Sequence, residues 1–155
     1  MGGLLEQSTL LVRTRSPEGR IDLSDGGTVL GFAVRQAPRG LLSWWPVLGV
    51  YETFDSPLVF TVRRTGLLPR WEVRDSEGDL IAIVATRRVF DCWGRTLMTR
   101  MASGLQGTPV QGGGDVSLAE WGSGPDGLRV AFRDPVQHDP FAKMAILAAV
   151  LVWHG

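Results

Sequence analysis

One cysteine, one tyrosine, one lysine and two histidines are all that this 155-residue chain holds of those residue types. Cys92 alone excludes an internal disulfide and suits a reducing compartment. His138 and His154 are too few for a zinc site without carboxylates. They would flank a helix at its two ends, roughly 24 Å apart at 1.5 Å per residue, and so cannot share a metal within it. Neither charge is in excess, since sixteen basic residues balance sixteen acidic ones. No overall field therefore draws the chain to nucleic acid, and no nucleic-acid partner is expected. Gly112-Gly113-Gly114 has no Lys-Ser/Thr after it, which removes a phosphate-binding loop. No acid and base stand paired beside a nucleophile, so neither catalytic residues nor an enzyme are expected. The opening residues M-G-G-L-L-E-Q-S carry no basic region ahead of an apolar stretch. No signal peptide is read there, and a cytoplasmic location is expected.

What the chain has in quantity is punctuation. Twenty glycines and nine prolines separate short apolar runs, the grammar of many short strands and tight turns. The runs predict strands at 9–14, 21–23, 29–35, 50–54, 58–64, 70–74, 80–86, 88–90, 96–101, 116–121 and 128–133. Residues 104–114 are weakly patterned and are expected to be partly loop. Alternation is clearest in mid-chain, where Leu58, Phe60 and Val62 share one face. Trp71 and Val73 likewise oppose Arg70, Glu72 and Arg74, and this period of two marks strands with one buried face. In the last hairpin Leu128, Val130 and Phe132 face inward. A weak repeat aligns Ile21-Asp22-Leu23-Ser24-Asp25 with Trp71-Glu72-Val73-Arg74-Asp75. Strand, Asp-led turn, strand therefore recurs, and Asp91 opens a third such turn.

The one long apolar run closes the sequence, D-P-F-A-K-M-A-I-L-A-A-V-L-V-W-H-G. Asp139 suits a helix N-cap and Pro140 the first helical position. From Met144 to Trp153 no polar residue interrupts, so a helix over 140–153 has no polar face. Such a helix is enclosed by protein or by lipid. A bilayer span takes about 20 apolar residues, more than this run supplies, so enclosure by the chain itself is expected. Ten to twelve antiparallel strands avoid exposed edges by closing into a barrel, and a barrel of that size has room for a helix. The expected fold is mainly β. A single domain over 1–155 forms a closed antiparallel barrel of about 12 strands around a buried C-terminal helix.

The stretch V-Y-E-T-F-D-S-P-L-V-F-T-V-R-R at 50–64, followed by R-W-E-V-R-D-S-E-G-D at 70–79, resembles the phospholipid scramblase and LURP-one-related family of tubby-like fold. Asp139, Lys143 and Met144 ahead of the apolar run resemble the scramblase pattern of acid, Lys-Met and apolar helix. The resemblance implies twelve antiparallel strands closed around one apolar C-terminal helix. Scramblases carry an acidic segment before that helix, proposed to bind calcium. The corresponding stretch here is Arg133-Asp134-Pro135-Val136-Gln137-His138-Asp139. Two acids split by a proline make a poor ligand set for a hard cation that takes six to eight oxygens. Calcium is accordingly not expected, and no other metal or cofactor is implied.

The arginines of the central hairpin, Arg63, Arg70 and Arg74, are the candidate anion-binding surface, with Arg87 and Arg88 extending it. If Val62 pairs with Trp71, Arg63 lies opposite Arg70. Like charges so placed repel, and suit a bound phosphate such as a lipid headgroup. If Val62 pairs with Val73, Arg63 meets Glu72 and the face neutralises itself. The sequence leaves both registers open. Trp44 and Trp45, in L-L-S-W-W-P-V-L, read either as a buried corner or as a loop that dips into a membrane interface. Lys143 reads as an amine with its stem on apolar surface and its ammonium reaching carbonyls, in preference to a catalytic amine. Cys92, beside Arg95 with no histidine near it, reads as incidental. The expected function is a non-enzymatic scramblase-like or LURP-one-like module that meets anionic phospholipid at a membrane surface. The alternative is a protein-interaction scaffold of the same fold with no lipid ligand.

Overall fold

The computed structural model describes residues 3–14, 19–36, 47–53, 55, 57–108 and 114–154; Trp44 and Trp45 lie outside them. Twelve strands form, beginning with β1 (Thr9–Thr14), β2 (Ile21–Ser24), β3 (Val29–Gln36), β4 (Val47–Glu52), β5 (Leu58–Thr65) and β6 (Arg70–Asp75). The second half holds β7 (Leu80–Val84), β8 (Arg88–Phe90), β9 (Thr96–Met101), β10 (Gly104–Gly107), β11 (Val116–Gly124) and β12 (Gly127–Phe132). Each strand pairs antiparallel with its sequence neighbours, and β12 returns to β1, with Thr9 opposite Ala131 and Val12 opposite Leu128. The barrel is closed. Because every hairpin reverses the chain, turns alternate between two ends. The lower end holds the start of β1, the end of β12 and the turns that leave even-numbered strands; the upper end holds the others.

The repeat visible in the sequence is a bulged hairpin. Register shifts fall between Leu23 and Ser24, Val73 and Arg74, and Val89 and Phe90. Each lies just ahead of a turn led by Asp25, Asp75 or Asp91, and all three turns are at the lower end. In each turn one carboxylate oxygen accepts two backbone N–H groups. Asp25 takes Gly27 and Thr28 at 2.9 and 2.8 Å, Asp75 takes Glu77 and Asp79 at 3.0 and 2.9 Å, and Asp91 takes Trp93 and Arg95 at 2.9 and 2.8 Å. This is the short-side-chain mimicry of backbone that makes aspartate a turn residue. The bulge beside it sharpens strand bend and twist, which closure requires.

Helix α1 (Pro140–His154) passes through the barrel from the lower end to the upper. Its expected N-cap is in place, since Asp139 Oδ1 accepts the N–H of Ala142 at 3.1 Å. Every residue from Ala145 to Leu151 is buried, in one cluster with inward side chains such as Leu10, Val50, Phe60, Val73, Val84 and Val130. The apolar terminal run is thus enclosed by the strands, as its lack of a polar face requires. Among the described residues no helix is long and apolar enough to cross a membrane.

The weakly patterned stretch that begins at Gly104 holds a strand that no pattern announced, since Gly104–Gly107 forms β10 between β9 and β11, while 109–113 lie outside the described residues. Glycine hides this strand from its pattern. A Cβ at Gly104 would collide with the Ala119 carbonyl, and one at Gly107 with the Leu97 carbonyl. Close backbone approach excludes the side chains that would have marked the strand.

Leu147 is fully buried in mid-helix. Leu147→Ala is expected to cost about 3 kcal/mol through lost burial and the cavity left behind, read as a lower urea midpoint at unchanged slope.

Candidate anion-binding surface

The central hairpin adopts the second of its two possible registers. Val62 lies opposite Val73, Arg63 opposite Glu72, and Thr65 opposite Arg70. Arg63 and Arg70 therefore do not face each other across the ladder. The Glu72 carboxylate is held by Arg74 at 3.1 Å, and Arg74 also donates to the Gly78 carbonyl at 2.9 Å. Arg74 closes the lower turn and stands apart from the other four candidate arginines. Arg63, Arg70, Arg87 and Arg88 belong to the upper half of the wall.

There the strands bring them into one rim. Trp71 pairs with Val84, so Arg70 is level with Ala85, whose N–H donates to the Arg88 carbonyl at 2.8 Å. Arg70 and Arg88 thus share one level on the outside, two strand spacings or roughly 10 Å apart. The Arg100 N–H donates to the Arg87 carbonyl at 2.8 Å and extends the rim to β9. Two further arginines occupy inward positions at the mouth. Arg64 follows Val62 on the inner face of β5, and its guanidinium lies 5.8 Å from the Trp71 ring. Arg100 follows Met98 on β9 and lies 4.8 Å from the ring of Trp153, in the last helical turn. The Trp153 indole N–H donates to the Ala85 carbonyl at 2.9 Å and ties the helix end to this rim. A cation there complements the negative end of the helix dipole. Arg64 Nε is buried and has no hydrogen-bond partner among the described residues. An unpaired buried donor costs about 1–3 kcal/mol, and an anion at the mouth would satisfy it.

The balanced composition conceals a division by end. Lower turns carry Asp25, Asp55, Asp75, Glu77, Asp79, Asp91 and Asp115. Backbone donors at Thr28 and Gly27 hold the Asp25 carboxyl below its ordinary 3.8. Desolvation pushes Asp91 upward, but the N–H groups of Arg95 and Trp93 and the Arg95 guanidinium outweigh it and leave it lowered as well. At the upper end the described turns carry one acid, Asp126, which lies 3.9 Å from Arg13. Among the described residues carboxylates predominate in the lower turns and arginines at the upper rim.

The remaining candidates fall elsewhere. Cys92 is exposed in the lower Asp91 turn. Asp134 sits in an exposed 3-10 turn and Asp139 caps the helix, so the stretch corresponding to the scramblase calcium segment does not converge on one cation. Among the described residues no group of three or more His, Cys, Asp or Glu is arranged to hold a metal. Lys143 is buried, and its ammonium donates to the carbonyls of Leu5 at 2.9 Å and Gln7 at 2.7 Å, 5.0 Å from the Phe132 ring. It binds the N-terminal turn to the helix.

Arg64 and Arg100 are absent from the sequence-based set. Their signal is an arginine that continues an inward apolar series, which in a closed barrel marks the mouth. Comparison with protein-family models, curated proteins and solved structures finds no match for this chain.

Burial lowers the Lys143 pKa below its ordinary 10.5, with Glu6 partly opposing. The unfolded chain then holds that proton more tightly than the folded one. Stability is expected to rise as pH climbs through the lowered value towards 10.5. Lys143→Met should abolish that rise in urea titrations run across alkaline pH.

Proposed function

We propose that this chain is a non-enzymatic, scramblase-like or LURP-one-like module of tubby-like fold that binds anionic phospholipid headgroups at a membrane surface. The observation that carries the reading is the gathering of arginines at the upper end while the turns at the opposite end are acidic. Arg70 and Arg88 share one level of the outer wall, Arg87 lies in the turn between, and Arg64 and Arg100 occupy the mouth. Guanidinium groups so grouped bind phosphate oxygens through charge-assisted hydrogen bonds, with no bond made or broken. The barrel meets the membrane peripherally, with its upper end down and its acidic end away from the negative surface. Association would be steered by this separation of charge despite a net charge of zero.

A second reading, a protein-interaction scaffold, is favoured by the lower end. Phe141 is half exposed there, beside a cavity of about 160 Å³ lined by Leu97, Met98, Leu118 and Val136.

Sedimentation with vesicles separates the two. The chain is expected to pellet with vesicles of phosphatidylcholine and phosphatidylserine, to stay in solution with phosphatidylcholine alone, and to lose most of its binding as salt is raised. Each surface arginine is worth about 1 kcal/mol, so Arg70→Gln with Arg88→Gln should weaken binding about 30-fold without altering the fold. Equal recovery in the supernatant with both vesicle types rejects the lipid reading and leaves the scaffold.

A further inference from the structure

The turn between β5 and β6 has an exposed tip that its own folding does not explain. Thr65 and Arg70 close the ladder, and Gly66, Leu67, Leu68 and Pro69 span the gap. Gly66 takes φ of 73°, a left-handed conformation that glycine adopts without penalty. Pro69 has no N–H and fixes its own φ, and the Arg70 N–H donates to the Leu68 carbonyl at 2.8 Å. Turn geometry is therefore supplied by glycine, proline and one backbone hydrogen bond. The two leucines contribute nothing to it, yet Leu67 is 95% and Leu68 64% exposed. They are the two most exposed large aliphatic side chains among the described residues.

Position gives them a use. The turn leaves an odd-numbered strand and so stands at the upper end. Arg70 flanks it directly, Arg64 stands one residue before Thr65 at the mouth, and Arg88 is level with Arg70 two strands away. An apolar tip with arginines beside it on the same rim fits one kind of surface, where anionic headgroups lie immediately above hydrocarbon. A protein partner would need to present an apolar pocket rimmed with acids to match the same pattern.

We infer that Leu67 and Leu68 form a wedge that enters the acyl-chain boundary of an anionic membrane while Arg70 and Arg88 hold the headgroups around it. The inference rests on the phospholipid reading above and adds to it the point and depth of contact. A tight turn presents the leucines already ordered, so little conformational freedom is lost on insertion. The lower end of the barrel remains in water.

Two measurements test the wedge separately from the headgroup contacts. Leu67→Ser with Leu68→Ser is expected to lower partition into phosphatidylcholine–phosphatidylserine vesicles by about tenfold or more. Wild-type chain should retain a salt-resistant fraction of binding that this variant loses. In a Cys92→Ser background, an environment-sensitive fluorophore on Leu67→Cys should brighten and shift blue on adding these vesicles. The same label on Glu77→Cys, at the lower end, should not change. If the chain binds anionic vesicles but the Leu67 label stays aqueous and the serine variant binds as wild type, the wedge is wrong and the arginine reading stands. If the wild-type chain binds no anionic vesicle, both fall together.

Discussion

A helix with no polar side survives in water only when every side is covered, and the rest of this chain is what covers it. A single sheet shields one face; enclosure demands a sheet that returns to its own first strand. The number of strands follows from size. Eight-stranded barrels are filled by their own inward side chains. Twelve strands about 4.8 Å apart and tilted by about 40° enclose a radius of roughly 12 Å. That accommodates a helix about 10–12 Å across with its side chains, plus one layer of inward residues from the wall. Alanines at Ala145, Ala148 and Ala149 and branched residues at Ile146, Leu147, Val150 and Leu151 let the wall approach unevenly, as a tilted barrel does. Lys143 is tolerated because its ammonium reaches two carbonyls of the N-terminal segment.

Most of this was legible in the amino-acid sequence for a physical reason. Alternation of period two marked the mid-chain strands and the last hairpin, and an unbroken apolar run marked the helix. The Asp-led repeat was legible too, although its meaning as a bulged hairpin required the register shifts at Leu23, Val73 and Val89. What escaped was β10, where Gly104 and Gly107 trade recognisable side chains for close backbone approach.

The register of the central hairpin escaped for a different reason. A slip of one residue would turn every apolar side chain outward, but a slip of two keeps Phe60, Val62, Trp71 and Val73 inside. Hydrophobic pattern therefore could not choose between Trp71 and Val73 as the partner of Val62. The observed register leaves Pro69 in the turn, where its missing N–H forfeits no ladder bond, and puts Arg63 opposite Glu72. It separates Arg63 from Arg70 across the ladder.

The same alternation of ends sorts the charges, and the two halves of that sorting have different causes. Aspartates gather below because bulged lower turns need a carboxylate to accept two N–H groups, as Asp25, Asp75 and Asp91 do. The placement of these three is explained by folding alone. No such account covers the upper end. Among the described residues none of Arg63, Arg64, Arg70, Arg87, Arg88 and Arg100 has an ion-pair partner, whereas Arg13, Arg20, Arg74, Arg95 and Arg133 each do. Ring contacts at Trp71, Phe90 and Trp153 position three of these guanidinium groups without neutralising them. Arg70, Arg87 and Arg88 have no ion-pair partner among the described residues and gather at the end where Leu67 and Leu68 are exposed. That is the physical ground for the proposal that they meet a surface outside the molecule.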